Sequence, residues 1–354
     1  MDRYRCHRGD GDMWPITWAD DDHLYGGAGD NSGSPMNVWR IRNGPTDVFL
    51  GTGWGVTVEA INNLPVDPAI YCSRPDVHPT MGVKPAGILS IGGRLYLAAE
   101  LHNYGDNPSF NRQHNVCAWI ITSDDHGVTW DLEATPVGFF TGRYASPHFV
   151  QFGRDYDGAR DSYVYATFPV ADDGCSYWEN GDALIIGRVR ADRILDRDAW
   201  EFLVDGAGLP EQETRWARNA DQPQEIFRYP LMTGENHVTY NRGLGRYLMG
   251  NYGFLDADGN PRPYHATGQW PYSALRSQLT LYEAPEPWGP WHCFHIDDDW
   301  GTYGDYQPIF PTKWMSADGT RLLLASSGSF DDYNLTLQRV DLVLADPGRA
   351  EVRR

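Results

Sequence analysis

Basic residues are scarce: 29 Lys plus Arg face 48 Asp plus Glu in 354 residues, a formal net charge of −19. A field of that sign repels nucleic acid, anionic lipid and polyanionic polymers, so none of these is an expected partner. Cysteine is also sparse. Its five positions (Cys6, Cys72, Cys117, Cys175, Cys293) are scattered, odd in number and lack CxxC or Cys/His ligand spacing. That excludes a disulfide framework and a zinc site, so no metal and no cofactor are expected in the chemistry. No run approaches the roughly 18 apolar residues that a membrane span needs, so no membrane partner is expected. The segment MDRYRCHRGDGDMW has no apolar h-region and does not read as a secretory signal. The expectation is a soluble monomer or small homo-oligomer, either cytoplasmic or secreted with its signal removed.

Amphipathic helical periodicity is nearly absent too, which leaves an all-β reading of residues 1–354 as one domain. Short β-rich runs separated by Gly, Asp, Asn and Pro turns recur from end to end. One unit recurs recognisably, an apolar strand, a polar turn and a second apolar strand, in MWPITWADDDHLYGGAG, AGILSIGGRLYLAAEL, HFVQFGRDYDGARDSYVYATF, HVTYNRGLGRYLMGNY and PIFPTKWMSADGTRLLLASSG. A further strand follows each: NVWRI, VCAWIITS, DALIIGRV, QLTLYEA and LTLQRVDLVL. Five copies of such a hairpin predict a five-bladed β-propeller, the hairpins being the two inner strands of each blade. Six blades remain the lesser alternative, because residues 205–235 and 255–275 have room for short strands. Closure is expected between the strand near Leu335–Leu344 and strands formed early in the chain, or by packing of the last blade on the first.

After the second of these outer strands, Ser123 to Trp130 (SDDHGVTW) fits the S-x-D-x-G-x-T-W pattern of an Asp-box turn. Its Asp125 is read as a structural acceptor of backbone amides, not as a catalytic group. Aromatic residues make up 13% of the chain, with 14 Trp and 20 Tyr. Each is read first as packing between blades and second as a platform for a sugar ring.

If the first strand of each hairpin is innermost, its leading residues line one mouth of the channel and the second strand returns there. Asp12 and Asp30 stand nine residues to either side of the turn at Asp21 and are expected to meet. Lys84 is expected opposite Glu100, with His102 and Asn103 beyond. The third hairpin contributes Arg143, Tyr144, Ser146 and His148, the fourth Glu235, Asn236 and His237, and the fifth Tyr306 and Gln307. A ring of ionisable and amide groups around a channel is what a polar ligand needs.

The segments GDGDMWPITWADDDHLYGGAGD, VKPAGILSIGGRLYLAAE, FVQFGRDYDGARDSYVYATF, YEAPEPWGPW and FPTKWMSADGTRLLLASSG resemble a propeller family known as a domain of unknown function, some members of which are endo-D-arabinanases. The likeness spans nearly the whole chain. It implies that the two catalytic carboxylates lie on the first hairpin, at Asp12 and Asp30. Cys175–Glu179 and Tyr264–Tyr272 depart from the family pattern.

The expected activity is hydrolysis of an oligosaccharide or polysaccharide, arabinan-like furanosides being favoured. Asp12 and Asp30 divide acid and base work, and Trp14, Lys84, Glu100, His102, Arg143, Tyr144, His148, Glu235, His237 and Gln307 contact substrate. Two alternatives use the same ring. A polysaccharide lyase on a uronate would employ Lys84, Arg143, Tyr144 and the histidines, and a non-catalytic glycan-binding propeller would need no paired carboxylates. Sugar, linkage, endo or exo action, retention or inversion, and which Asp is the acid stay open at this stage.

Overall fold

The structure is a computed structural model that describes residues 3–5, 11–31, 34–42, 56–64, 81–103, 113–256, 258–261, 276–301, 305–327 and 334–345. Five antiparallel sheets account for its named strands. Blade I comprises Asp12–Trp18, Leu24–Asn31, Ser34–Arg42 and Thr57–Leu64, from the inside out. Blade II has Met81–Ile91, Arg94–Asn103 and His114–Ser123, and blade III has His148–Phe149, Tyr163–Val170 and Gly181–Arg190 followed by further outer strands. Blade IV runs His237–Asn241, Arg246–Leu255, Arg276–Ala284 and His292–Trp300. Blade V is built from Tyr306–Ile309, Arg321–Ser327 and Leu335–Asp341.

The five recurring hairpins are therefore the inner strand pairs, and the architecture is the expected five-bladed propeller. Of the stretches considered for a sixth blade, residues 205–235 do something else, since Arg215–Arg218 and Glu225–Thr233 add to the edges of blade III, and most of 255–275 lies outside the described residues. Closure follows the first of the two expectations, since Arg3–Arg5 pairs antiparallel with Thr336–Gln338 as the outermost strand of blade V. This joins an early and a late strand of the chain in one sheet and pairs the outer edge of Leu335–Asp341.

Aromatic side chains act mainly as mortar. Trp14, Trp119, Trp200, Trp288, Trp300 and Trp314 are all fully buried. The inner strands interlock through proline and glycine. A Cβ at Gly27 of blade I would lie 2.6 Å from Pro85 Cβ of blade II, and one at Gly250 of blade IV would lie 2.7 Å from Pro308 Cγ of blade V. Glycine is required at both because the neighbouring blade's proline occupies the space. The same prolines deform their own strands. Register shifts fall at Met13/Ile16 around Pro15, at Pro85/Gly87 and at Tyr306/Ile309 around Pro308. The inner strand of blade IV, which has no proline, runs in continuous register. Proline cannot donate to the ladder, so each one terminates regular pairing and bulges the strand.

Candidate active site

The bulges aim side chains into the channel. Asp12, which opens the inner strand of blade I, is 4% exposed, and Lys84 of blade II is 3% exposed. Lys84 Nζ donates to both carboxylate oxygens of Asp12, at 2.9 and 3.1 Å, and Tyr306 of blade V donates its hydroxyl to Oδ2 at 3.0 Å. Three blades thus converge on one carboxylate, and charge-assisted bonds of this kind hold it in one orientation. Room for the pair comes from Gly29, where a Cβ would lie 2.5 Å from Lys84 Cδ and 2.9 Å from Asp12 Oδ1. Within the glycine-rich GGAGD of the second strand, Gly29 is therefore a steric requirement of the Asp12–Lys84 contact. Backbone strain gathers at the same place: Met13, Trp14 and Gln307 have φ of 82, 53 and 51° without being glycine. Such residues cost about 1–3 kcal/mol each and persist where the surroundings enforce them.

A second cluster adjoins the first. Lys84 and Glu100 are directly paired across neighbouring strands, and Gln307 follows Tyr306 in the chain. Glu235 is wholly buried; it accepts from Asn115 Nδ2 at 3.0 Å, from Ser146 Oγ at 3.1 Å and from Gln307 Nε2. Burial pushes its carboxyl well above the usual carboxylate range, and the neighbouring Glu100 adds to that effect. Ser146 Oγ also lies 2.9 Å from His148 Nε2, and the rings of His148 and His237 stand edge to face at 4.9 Å. Burial lowers both imidazoles, His148 far below its ordinary value with help from His237, and His237 to about 3. Both are neutral at physiological pH.

The sequence reading brought together Asp12, Lys84, Glu100, His148, Glu235, His237 and Gln307, and the structure places them all around the channel. His102 joins them from beneath, its Nε2 bonded to Gln113 Oε1 and its Nδ1 3.8 Å from Glu100 Oε1. Two expectations need correcting. Trp14 is not a subsite wall: the bulge turns it into the core, where its indole donates to Gly11 O and packs 5.7 Å from Trp39. Tyr144 also leaves the channel, because Gly142–Tyr144 forms a 3₁₀ turn; its ring packs 4.0 Å from Phe202 and its hydroxyl donates to Ala220 O at 2.5 Å. Arg143, on the same turn and half-buried, stands near Gly174.

Asp30 lies on the second strand of blade I, but the register pairs Asp12 with Gly29, one residue from the expected partner. The bulge at Pro15 consumes the extra residue. The Asp30 side chain lies outside the described ones, as does the segment Tyr264–Tyr272.

Sequence reasoning missed Trp178 and Asn115. Cys175–Glu179, the other departure from the family pattern, crosses to blade II: Ser176 and Tyr177 pair with Asn115 and His114. This sets Trp178 against two site partners, with ring centroids 5.2 Å from Tyr306 and 6.2 Å from His102. A tryptophan within an unfamiliar segment was the available signal.

The buried histidines carry a pH consequence. Their folded-state values are depressed, so their stability contribution is present above about pH 6.5 and is lost as pH falls toward their folded values. Each costs about 1.4 kcal/mol per pH unit in that window, and Glu235, shifted the other way, offsets one of them above its ordinary value. Unfolding free energy should therefore drop between pH 6.5 and 4.5, and His237→Asn should flatten the slope. Denaturant melts across that range check it; an unchanged slope in the variant contradicts it.

The turn from Ser123 to Trp130 makes the bonds its sequence required. Thr129 N and Oγ1 donate to Asp125 at 2.8 and 2.6 Å, Gly127 has φ of 85°, and Trp130 Nε1 donates to Gly127 O. Next to it, Asp20, Asp21 and His126 bring ligand atoms within 4.8 Å of one another, a grouping that residue spacing did not reveal. His126 Nε2 already contacts Asp20 Oδ1 at 2.7 Å, and Asp21 accepts from His23 N and Tyr25 OH. These bonds explain the cluster without an ion, and it sits at the hairpin-turn end of the blades, away from Asp12.

No protein-family model matches the chain, and no curated protein sequence matches it. Solved structures do match in fold. A GH43 endo-arabinanase from Bacillus licheniformis aligns over 98% of this chain and 99% of its own, with TM-score 0.50 and 13% identity. A GH43_1 enzyme from Xanthomonas citri aligns over 98% and 92%, with TM-score 0.51 and 12% identity. A GH32 beta-fructofuranosidase from Bombyx mori aligns over 96% of this chain and 63% of its own, with TM-score 0.51 and 13% identity. At such identities the likeness establishes the five-bladed fold, and the chemistry has to be argued from the site.

Proposed function

We propose that the protein is a glycoside hydrolase acting on an arabinan-like furanoside glycan, with Asp12 and Asp30 as its carboxylate pair. The observation that carries this reading is the Asp12 carboxylate, fixed in the channel by Lys84 and Tyr306. A carboxylate with a buried counter-charge is suited to act as nucleophile or as the base that activates water. Asp30, one residue past Gly29, is then the acid that protonates the leaving oxygen. Arabinan is favoured on two grounds: the sequence resembles a family with endo-D-arabinanase members, and one propeller of the same fold is an endo-arabinanase. The lyase alternative is weakened at its base, because Tyr144 donates to a backbone carbonyl and burial raises its phenol.

The test is digestion of a panel of neutral furanoside and pyranoside glycans alongside uronate-containing ones. Hydrolysis adds one water to the products and creates no ultraviolet chromophore, and that is the expected result on a neutral arabinan. An unsaturated uronate without added water would replace this reading with elimination.

A further inference from the structure

The Asp12 chemistry leaves Glu100 and Glu235 unused beside it. Both are 0% exposed. Glu235 is gripped by Asn115, Ser146 and Gln307 from three blades, whereas among the described residues neither oxygen of Glu100 has a hydrogen-bond partner other than what Glu235 can offer. Two carboxyl groups in contact and shielded from water cannot both ionise unless something compensates them. The groups facing Glu235 do not compensate. His148 and His237 are held neutral by burial, the Tyr252 phenol is pushed up by burial and by Glu235, Glu179 and Glu100, and Glu179 itself adds only negative charge. Beside Glu100, His102 brings its Nδ1 to 3.8 Å from Oε1 while its Nε2 is bonded to Gln113 Oε1, and Lys84, directly opposite Glu100 across the strand pair, has its ammonium on Asp12.

We propose that Glu100 and Glu235 hold one proton between them at neutral pH, and that this shared proton keeps Lys84 on Asp12, which makes Glu235 a positioning residue. Glu235 carries the proton and donates it to Glu100, which satisfies one of the two orphaned oxygens. When the proton leaves, the doubly charged couple draws Lys84 across the strand pair to Glu100, and Asp12 loses its counter-charge. The alkaline fall in activity is then set by this couple and belongs to both carboxyls jointly.

The kinetic consequence rests on the proposed hydrolase reading; the proton itself does not. Infrared difference spectra of the full chain should show a protonated-carboxyl C=O stretch at neutral pH that disappears at high pH, is missing in Glu235→Gln, and disappears at a lower pH in Glu100→Gln than in the wild type. On the best substrate, Glu235→Gln should lower kcat only a few-fold at neutral pH and move the alkaline limb up by about one pH unit or more, with KM little changed. If the wild type showed no such band at neutral pH, the couple would not hold a proton. One equivalent of divalent cation retained by the wild type and lost in Glu235→Gln would put a metal where the proton is proposed. Loss of activity at every pH on poor leaving groups, with activated aryl glycosides spared, would make Glu235 the catalytic acid itself. Should the wild type hydrolyse nothing, the infrared result still decides the proton, so the two readings fail separately.

Discussion

Asp12→Asn and Asp30→Asn should each lower turnover by roughly 10²–10⁴-fold, the usual effect of removing a general acid or base, with the fold retained in both, although Asp12→Asn also leaves the buried Lys84 ammonium unpaired and lowers stability. The two variants should differ in kind. Losing the nucleophile or base at Asp12 removes a group needed whatever the leaving group, so activated aryl furanosides and natural linkages should suffer alike. Loss of the acid at Asp30 should spare the aryl substrates, whose leaving groups depart without protonation. Because the pair acts as a unit, the double variant should be little worse than the poorer single one. Steady-state kinetics on both substrate types check this. Near wild-type rates in both single variants would reduce the pair to a feature of the hairpin.

Lys84→Met should be the most damaging single change to stability in the channel. The Asp12 and Lys84 side chains are 6% and 4% exposed, and removing the ammonium strands a buried carboxylate that then favours its neutral form. Breaking one side of a buried pair typically costs about 3–5 kcal/mol, and activity should fall with it because the remaining carboxyl is a poor nucleophile. The double variant Asp12→Asn/Lys84→Met removes both charges and should recover much of the lost stability, although no activity. Denaturant melts of the four species form the cycle that isolates the coupling. If the double variant were as unstable as the sum of the singles, the pair would not be coupled and Asp12 would not be held as described.

Much of the architecture was legible because it repeats. Five hairpins, each followed by a third strand, announce five blades, and propellers close by joining chain ends. What was not legible is the displacement that each proline causes. Counting nine residues from Asp21 assumes an unbroken ladder, and Pro15 breaks it, so Gly29 faces Asp12 and Trp14 rotates into the core. The signal was present in sequence as Pro15, Pro85, Pro147 and Pro308 near the heads of four inner strands. Tyr144 failed for a related reason, since a 3₁₀ turn replaces the strand head assumed there. Asn115 and Trp178 escaped because they lie outside the hairpins: one heads a third strand, and the other arrives from an inserted segment that pairs with a different blade. Strand alternation says nothing about such crossings. Carboxyl protonation was beyond sequence altogether, because it depends on how two glutamates 135 positions apart come into contact.

The most direct test of the central claim is proton NMR of a neutral arabinan digested by the wild type and, side by side, by Asp12→Asn. New reducing ends formed with uptake of water by the wild type, and essentially none by the variant, are what Asp12-dependent hydrolysis predicts. Equal product from both proteins, or no new reducing ends from the wild type, would contradict it.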